Sequence, residues 1–311
     1  SADKNNPKGQ NILGLCYVRG YGVVQDYAEA VNCFRKSAAQ GYERALHNLG
    51  LCYVNGNGIK QDYVEAVNCF RKSAAQGHEG AQFNLGKCYE YGYGVEQSYE
   101  EAICWYRKAA EQGLALAQNK LGVCYAKGIG LVQSYKMAVK WLRKSAEQGN
   151  ERAQCILAVC YENGKGVEQS YERAVMWYKK SAEQGYARAQ CCLGFCYAKG
   201  YAVEQSYSKA VGWYHKSAEQ GYARAQCNLG FCYENGKGVE QSYEKAVGWY
   251  RKSAEQGDAR AQFFYGLCLE YGKGIDKDIN EALKWYQKSA DNGYESAKLK
   301  IQKIEEKLKH F

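Results

Sequence analysis

Cysteine is the residue type with the greatest chemical potential in this sequence, since thiolates bind zinc, form disulfides and act as nucleophiles. Fifteen cysteines occur in 311 residues, and this odd number leaves at least one thiol without an intramolecular disulfide partner. Eight of them recur once every 36 residues, and the other seven are irregularly placed. The recurring set is Cys16, Cys52, Cys88, Cys124, Cys160, Cys196, Cys232 and Cys268; the irregular set is Cys33, Cys69, Cys104, Cys155, Cys191, Cys192 and Cys227.

The densest cysteine cluster, Cys191-Cys192-x-x-x-Cys196, is the candidate for zinc binding. This cluster has no CxxC spacing and no second pair of ligands, and His215 is not at a zinc-like spacing from it. The sequence therefore favours reduced, structural thiols without a metal, and with them a reducing compartment.

No catalytic constellation stands out among the remaining polar residues. The four histidines, His47, His78, His215 and His310, occupy unrelated positions, and no Ser-His-Asp or Cys-His arrangement is apparent. Gly-x-Gly segments could suggest phosphate loops, but they follow predicted helices rather than strands and recur regularly, which favours turns. We therefore predict no catalytic residue, no metal and no cofactor.

The elements that carry these residues are set by a repeat of constant length. A glycine after leucine recurs every 36 residues with Ala158 in the one gap, and a second glycine closes each repeat at Gly41, Gly77 and onward to Gly293. A fixed period of this length is typical of stacked repeats. We predict one solenoid rather than two domains: a polar lead at 1–6, eight repeats at 7–294, and a capping helix at 295–311. The cap is predicted from an apolar stripe formed by Ile301, Ile304, Leu308 and Phe311.

One repeat, residues 223–258, shows what each must form. Leu229, Gly230 and Tyr233 lie on one side of a first helix, where the glycine permits close packing. A Gly-rich turn follows, and Ala246, Val247, Tyr250 and Ala254 then have helical spacing before a closing glycine. Trp-Tyr pairs in the second helices lie at the core-facing register and favour packing over base stacking. Each repeat is thus predicted to be an antiparallel helical hairpin.

The pattern Ala-x-x-x-Leu-Gly-x-x-Tyr, then Gly-x-Gly-Val, then Ala-x-x-Trp-Tyr, resembles the Sel1-like repeat, a relative of the tetratricopeptide repeat. The resemblance covers nearly the whole chain and implies an all-α, right-handed superhelical solenoid that acts as a scaffold for partners. Cysteine-rich Sel1-like proteins of Helicobacter pair cysteines within each repeat and are associated with β-lactam binding and hydrolysis. The present chain has no regular second cysteine. A β-lactam-binding or β-lactam-hydrolysing enzyme remains an alternative, although the sequence shows no evident nucleophile.

By the same resemblance, the first helices line a concave face, and the second, fifth, ninth and twelfth positions of each repeat face the groove. The second position carries arginine in repeats five to eight, and the ninth is largely apolar. Guanidinium groups at regular intervals could bind carboxylates of an extended segment. The alternative is that each arginine pairs with a glutamate of a neighbouring helix. The predicted protein-binding residues are Arg152, Arg188, Arg224, Arg260, Phe195 and Phe231.

The formal net charge of +9 weakly supports an acidic protein or peptide partner. RNA binding is a further alternative, but it would need paired polar readers at fixed positions, whereas the predicted floor is apolar. The sequence contains no run of 18 apolar residues, so we predict no membrane-spanning helix. We expect a cytoplasmic protein, with a secreted or periplasmic location left open.

Overall fold

The computed structural model describes residues 6–309, and within that range every regular element is an α-helix. Sixteen 13-residue helices alternate as the first and second members of eight hairpins, and a longer helix follows. The predicted all-α stack of hairpins is therefore confirmed. The first helices are α1 (Pro7–Arg19), α3 (Glu43–Asn55), α5 (Glu79–Tyr91), α7 (Ala115–Lys127), α9 (Glu151–Asn163), α11 (Ala187–Lys199), α13 (Ala223–Asn235) and α15 (Ala259–Tyr271). The second helices are α2 (Tyr27–Ala39), α4 (Tyr63–Ala75), α6 (Tyr99–Glu111), α8 (Tyr135–Glu147), α10 (Tyr171–Glu183), α12 (Tyr207–Glu219), α14 (Tyr243–Glu255) and α16 (Ile279–Asp291).

The helices form two compact units. The N-terminal unit contains the residues up to Ala153 together with Lys165–Val167, and the C-terminal unit contains Gln154–Gly164 and the residues from Glu168 onward. Within each unit, the helices of a hairpin pack on each other, and the second helix packs on the first helix of the next hairpin. Within a unit, each repeat thus buries its apolar face against the repeats next to it.

In six of the eight first helices the glycine is required by a ring from its own hairpin; Gly122 instead faces Leu142, and repeat five has Ala158 at this position. A Cβ added at Gly230 would lie 2.7 Å from Cδ1 of Tyr250, and one at Gly50 would lie 2.5 Å from Cε1 of Phe70. Both rings are almost completely buried. The predicted close packing at this glycine is confirmed, and the group that needs the space is an aromatic side chain of the second helix.

Buried polar side chains join the two helices of a hairpin in the C-terminal unit. The hydroxyl of Ser253 donates to the carbonyl of Ala223 at 2.8 Å, and Nε2 of Gln256 donates to Oε1 of Gln226 at 2.8 Å. The closing glycine, Gly257, has a positive φ of 88° that ends α14 with backbone hydrogen bonds to the last turn. These bonds satisfy polar groups that would otherwise be costly to bury.

The last helix, α17 (Glu295–Lys309), packs on α16 at the end of the C-terminal unit. Ala297 and Ile304 are buried there, and Ile301 packs against the same cluster. The predictions for residues 1–5, for the side chain of Leu308 and for Phe311 fall outside the residues that the structure describes. The contacts of the inner half of the apolar stripe support the capping function, which stays a prediction.

The N-terminal unit contains a half-buried histidine, His47, that should make its stability depend on pH. Burial, and then the neighbouring His78, lower the pKa of His47 from 6.5 to about 4. The unfolded chain therefore takes up a proton first, so stability present above pH 6.5 is lost as the pH falls towards 4. We expect a loss of about 2 kcal/mol in unfolding free energy between about pH 7 and about pH 5.

Chemical denaturation of the parent and of His47→Gln across this pH range tests the expectation. The glutamine can still accept the hydrogen bond that Nδ2 of Asn84 makes with Nε2 of His47 at 2.9 Å. The variant should show a flatter pH dependence. Equal slopes for the two proteins would show that His47 does not carry the effect.

Candidate protein-binding face

The glutamates at the twelfth position of four repeats do not act as free surface charges. In each case the hydroxyl of a buried tyrosine on the second helix donates to the carboxylate: Tyr106 to Glu90, Tyr178 to Glu162, Tyr250 to Glu234 and Tyr286 to Glu270. The oxygen-to-oxygen distances are 2.6 Å, 2.6 Å, 2.7 Å and 2.6 Å, respectively. Each pair fixes a carboxylate beside the first helix of its repeat.

In three of these pairs a lysine from the next repeat, or from α17, also lies close to the glutamate. Nζ of Lys120 lies 2.6 Å from Oε1 of Glu90, Nζ of Lys300 lies 2.9 Å from Oε1 of Glu270, and Nζ of Lys273 lies 3.8 Å from Oε1 of Glu234. At Glu270, burial opposes ionisation, but hydrogen bonds from Tyr286 and Lys300 outweigh it and hold the pKa below its usual range. The carboxylate is therefore ionised, and it is held by one neutral hydroxyl donor and one positively charged ammonium donor.

Repeat six keeps the tyrosine but lacks the glutamate. Ala198 occupies the twelfth position, and a cavity of about 260 Å³ lies between it and the ring of Tyr214. Phe195, Phe231 and Phe264 supply apolar walls, and the charged lining residues are Lys199, Lys237 and Arg260, all of them cations. Repeats one, two and four also lack the glutamate, but there the partner position holds Phe34, Phe70 or Leu142, which have no hydroxyl to satisfy.

The structure brings three of the predicted binding residues to this cavity: Phe195, Phe231 and Arg260. Phe231 is 38% exposed and Phe195 is half-buried, so both rings remain accessible to solvent. Arg260 differs from the prediction of an exposed groove residue. It is half-buried, with Nε donating to Sγ of Cys227 at 3.3 Å and an η nitrogen donating to Oδ1 of Asn228.

Two further predicted arginines are exposed in the same unit. Arg224 lines a smaller hollow with Glu162, Cys191 and Phe195, and this hollow shares Phe195 and Asn228 with the larger cavity. Arg188 is exposed one repeat earlier. Within the described part of the chain, neither side chain forms a salt bridge to a carboxylate.

Arg152 is exposed as well and belongs to the N-terminal unit. The expectation of a groove-facing fifth position was wrong for repeats five, six and seven. Cys155, Cys191 and Cys227 at that position are at most 2% exposed, because they pack into the core beside the second helices. The face is therefore formed by the second, ninth and twelfth positions.

The surroundings of the cysteines are those of structural thiols rather than reactive ones. All fifteen are free thiols, and most are buried. Burial raises the pKa of Cys232 to about 11 and that of Cys196 to about 12, which suppresses thiolate formation near neutral pH. Cys192 differs, because a hydrogen bond from Cys155 lowers the pKa of its thiol. Among residues 6–309, no group of three His, Cys, Asp or Glu side chains is arranged to hold a metal ion.

Sequence reasoning missed Tyr207, Tyr214, Asn228, Lys237 and Phe264 as members of the face. A signal for Tyr214 was present in the repeats. Wherever the twelfth position is glutamate, the residue 16 positions later is tyrosine, as in Glu234 and Tyr250. The converse fails in repeat six, where Tyr214 is present without the glutamate, and this exception coincides with the cavity.

Comparison with known proteins agrees with this architecture. The Sel1 repeat family model matches residues 7–42, 43–78, 80–114, 115–150, 151–186, 187–222, 223–258 and 259–294. The chain therefore belongs to the Sel1 repeat family. Sel1 repeat proteins are generally non-catalytic scaffolds for protein interactions.

Two solved structures illustrate the relationship. The crystal structure of c5321, a protective antigen present in uropathogenic Escherichia coli strains, is 38% identical in sequence and has a TM-score of 0.75, with 97% of this chain and 73% of that chain covered. A Sel1 repeat protein from Oxalobacter formigenes is 33% identical with a TM-score of 0.71, with 97% and 88% covered. No curated protein matches the chain. Along residues 6–309, no helix combines the length and the apolarity needed to cross a membrane.

Proposed function

We propose that the chain is a protein-binding scaffold whose C-terminal unit binds an extended acidic segment of a partner protein. The binding face consists of Arg188 and Arg224, the aromatic residues Phe195 and Phe231, and the cations around the repeat-six cavity. The interaction uses a surface that is already formed, so the scaffold loses little conformational entropy on binding.

One observation carries this proposal: the charged side chains that line the cavity are all cations. Lys199, Lys237 and Arg260 surround aromatic walls, and no carboxylate lines the cavity. Nζ of Lys237 lies 5.0 Å from the ring centre of Phe231, so the positive charge is held over the apolar floor. Such a surface complements a segment that carries negative charge next to apolar groups.

The exposed arginines extend this positive potential beyond the cavity. Arg188 and Arg224 occupy the same position in consecutive repeats, so they project from equivalent sites on α11 and α13. Guanidinium groups bind carboxylates through paired hydrogen bonds. Glu162 at the smaller hollow tempers the charge, but its carboxylate accepts a hydrogen bond from Tyr178 and is fixed in place.

The experiment is a selection from a random-peptide library on the purified chain and on the double variant Arg188→Glu with Arg224→Glu. We expect the parent to enrich peptides rich in Asp and Glu, and the double variant to bind those peptides at least about 100-fold more weakly, because loss of a desolvated charge partner costs roughly 2–5 kcal/mol. Affinity for the parent should fall as salt is raised, since exposed contacts are screened over about 8–10 Å near physiological ionic strength.

The matched control is Arg251→Glu on α14, where Arg251 is exposed and pairs with Glu255 at 2.8 Å. This reversal should leave peptide affinity within about twofold of the parent, because exposed ion pairs of this kind contribute only about 0.3–0.5 kcal/mol and this one lies outside the face. Enrichment of peptides without acidic residues, or equal affinity for the double variant, would contradict the proposal.

A further inference from the structure

Tyr214 is the residue around which the repeat-six cavity can be understood. It is 3% exposed and lines the cavity, yet its hydroxyl has no hydrogen-bond partner among the side chains that the structure describes. Burial raises the pKa of this hydroxyl well above its usual range, so it remains a hydrogen-bond donor. The hydroxyl oxygen is not among the fully buried, unpaired polar atoms of the described residues, so it opens onto the cavity, where water or a ligand can accept its hydrogen bond.

The neighbouring repeat shows which acceptor this position is built to take. There, the hydroxyl of Tyr250 donates to Glu234 at 2.7 Å, and Nζ of Lys273 approaches the other carboxylate oxygen at 3.8 Å. Subtracting one 36-residue period from Tyr250, Glu234 and Lys273 gives Tyr214, Ala198 and Lys237. The repeat-six site therefore keeps both groups that hold a carboxylate, Tyr214 from repeat six and Lys237 from repeat seven, and lacks the carboxylate itself.

Lys237 is also available for this contact. It is half-buried above the rings of Tyr207 and Phe231, at 5.3 Å and 5.0 Å from their centres, and it has no salt bridge within the described part of the chain. The charged residues around the cavity, Lys199, Lys237 and Arg260, all have the sign that attracts an anion. The charge, the donor and the space thus point to the same type of ligand.

We propose that the repeat-six cavity is a carboxylate-binding pocket, in which a glutamate side chain of the partner takes the place of the glutamate that Ala198 has removed. Its carboxylate accepts the hydrogen bond from Tyr214 and pairs with Lys237, and its methylene groups lie between Phe195 and Phe231. This inference rests on the proposed binding of an acidic segment, and it assigns the pocket that fixes the register of that segment.

The cavity is large enough to admit a glutamate side chain. Its volume of about 260 Å³ lies just below the range of roughly 300–1,000 Å³ that is usual for small-molecule sites. A propionate ion reproduces the glutamate side chain from its Cβ onward, so it can serve as a defined probe without knowledge of the partner.

The test is a titration of the full chain, labelled with carbon-13 at the tyrosine ζ carbons, with propionate at constant ionic strength. The Tyr214 signal is assigned by its loss in Tyr214→Phe. We expect a saturable shift of this signal with a dissociation constant on the order of 1–10 mM, and no saturable shift with neutral propionamide. Lys237→Met should weaken propionate binding at least about tenfold, because it removes the paired charge.

The matched variant is Ala198→Glu, which restores the sequence pattern of the four complete repeats. It should abolish the propionate-dependent shift and raise the unfolding midpoint by about 2–4 °C, because the Tyr214 hydroxyl gains an intramolecular acceptor. Tyr214→Phe should remain folded, since Phe34 and Phe70 occupy the equivalent buried position in repeats one and two.

A shift that does not saturate, or one that is equally large in Ala198→Glu, would overturn the carboxylate pocket. That outcome is distinct from failure of the proposed function, because Arg188 and Arg224 do not line this cavity. Loss of acidic-peptide binding in the arginine double variant would still stand if propionate fails to bind. Conversely, if propionate binds but the arginine double variant still binds acidic peptides, the carboxylate pocket is supported and the proposed role of Arg188 and Arg224 is contradicted.

Discussion

Replacement of Gly238 by valine is expected to lower the free energy of unfolding of the C-terminal unit by about 2–5 kcal/mol, the sum of left-handed backbone strain and overpacking. Gly238 has a φ of 75°, in the left-handed region that side chains with a branched Cβ avoid. A Cβ there would lie 2.4 Å from the carbonyl carbon of Tyr207 and 2.7 Å from the amide nitrogen of Ser208. The obstacle is backbone at the start of α12, so no side-chain rotation can relieve it.

Denaturation of Gly238→Val and of Gly248→Ala, followed by circular dichroism, checks this expectation. Gly248 lies within α14 with no atom within 4 Å of an added Cβ, so alanine should stabilise the helix by about 0.5–1 kcal/mol. Opposite signs for the two substitutions are expected. A Gly238→Val protein as stable as the parent would show that the turn does not approach α12 as closely as described.

Repeat six again departs from its neighbours at this turn. Ala202 occupies the position equivalent to Gly238, and it is the one non-glycine residue among those described with a positive φ, at 52°. The turn of that repeat therefore accepts a Cβ at some cost in backbone strain. For this reason valine, which is larger and branched, is the informative substitution at Gly238.

Deletion of Glu295–Phe311 is the second change with a large expected effect. It removes Ala297 and Ile304 from the core of the last repeat and takes Lys300 away from Glu270 and Tyr271, which it contacts at 2.9 Å and 2.8 Å. We expect a loss of at least about 3 kcal/mol, since a fully buried large side chain contributes about 1.5–3 kcal/mol and an uncompensated carboxylate adds to the loss. Aggregation through the uncovered surface should accompany it.

Thermal melts and light scattering of the truncated protein measure this effect, and Leu299→Ala is the control on the same helix. Leu299 is 61% exposed, so its truncation should change stability by no more than about 0.5 kcal/mol. If the truncated chain does not aggregate and has the same melting temperature as the parent, α17 does not act as a cap.

The sequence was sufficient for the fold because the same requirements recur eight times. The glycine at Gly230 and the ring at Tyr250 keep a constant separation, so their contact could be inferred from the period and confirmed by packing. The boundaries of the helices followed from the turn and closing glycines, whose positive φ values the structure shows.

The candidate site was only partly predictable, because its members come from adjacent hairpins. Phe195 and Phe231 were found from their shared register, and the structure places both at the repeat-six cavity. The burial of Cys191 and the bonds from Arg260 to Asn228 depend on how the first helices pack side by side, which the period alone does not fix. The significance of Ala198 required a comparison of two positions across all repeats, and the pairs that give it meaning are hydrogen bonds rather than apolar contacts.

The most direct test of acidic-segment binding is an affinity measurement with exchanged charges. A peptide selected on the parent and the same peptide with every Asp and Glu replaced by Lys are each titrated into the parent and into the Arg188→Glu, Arg224→Glu double variant. The proposal predicts that the parent binds the acidic peptide at least about 100-fold more tightly than the double variant does, and that the variant binds the lysine peptide better than the parent does. Equal affinity of the parent and the double variant for the acidic peptide would contradict it.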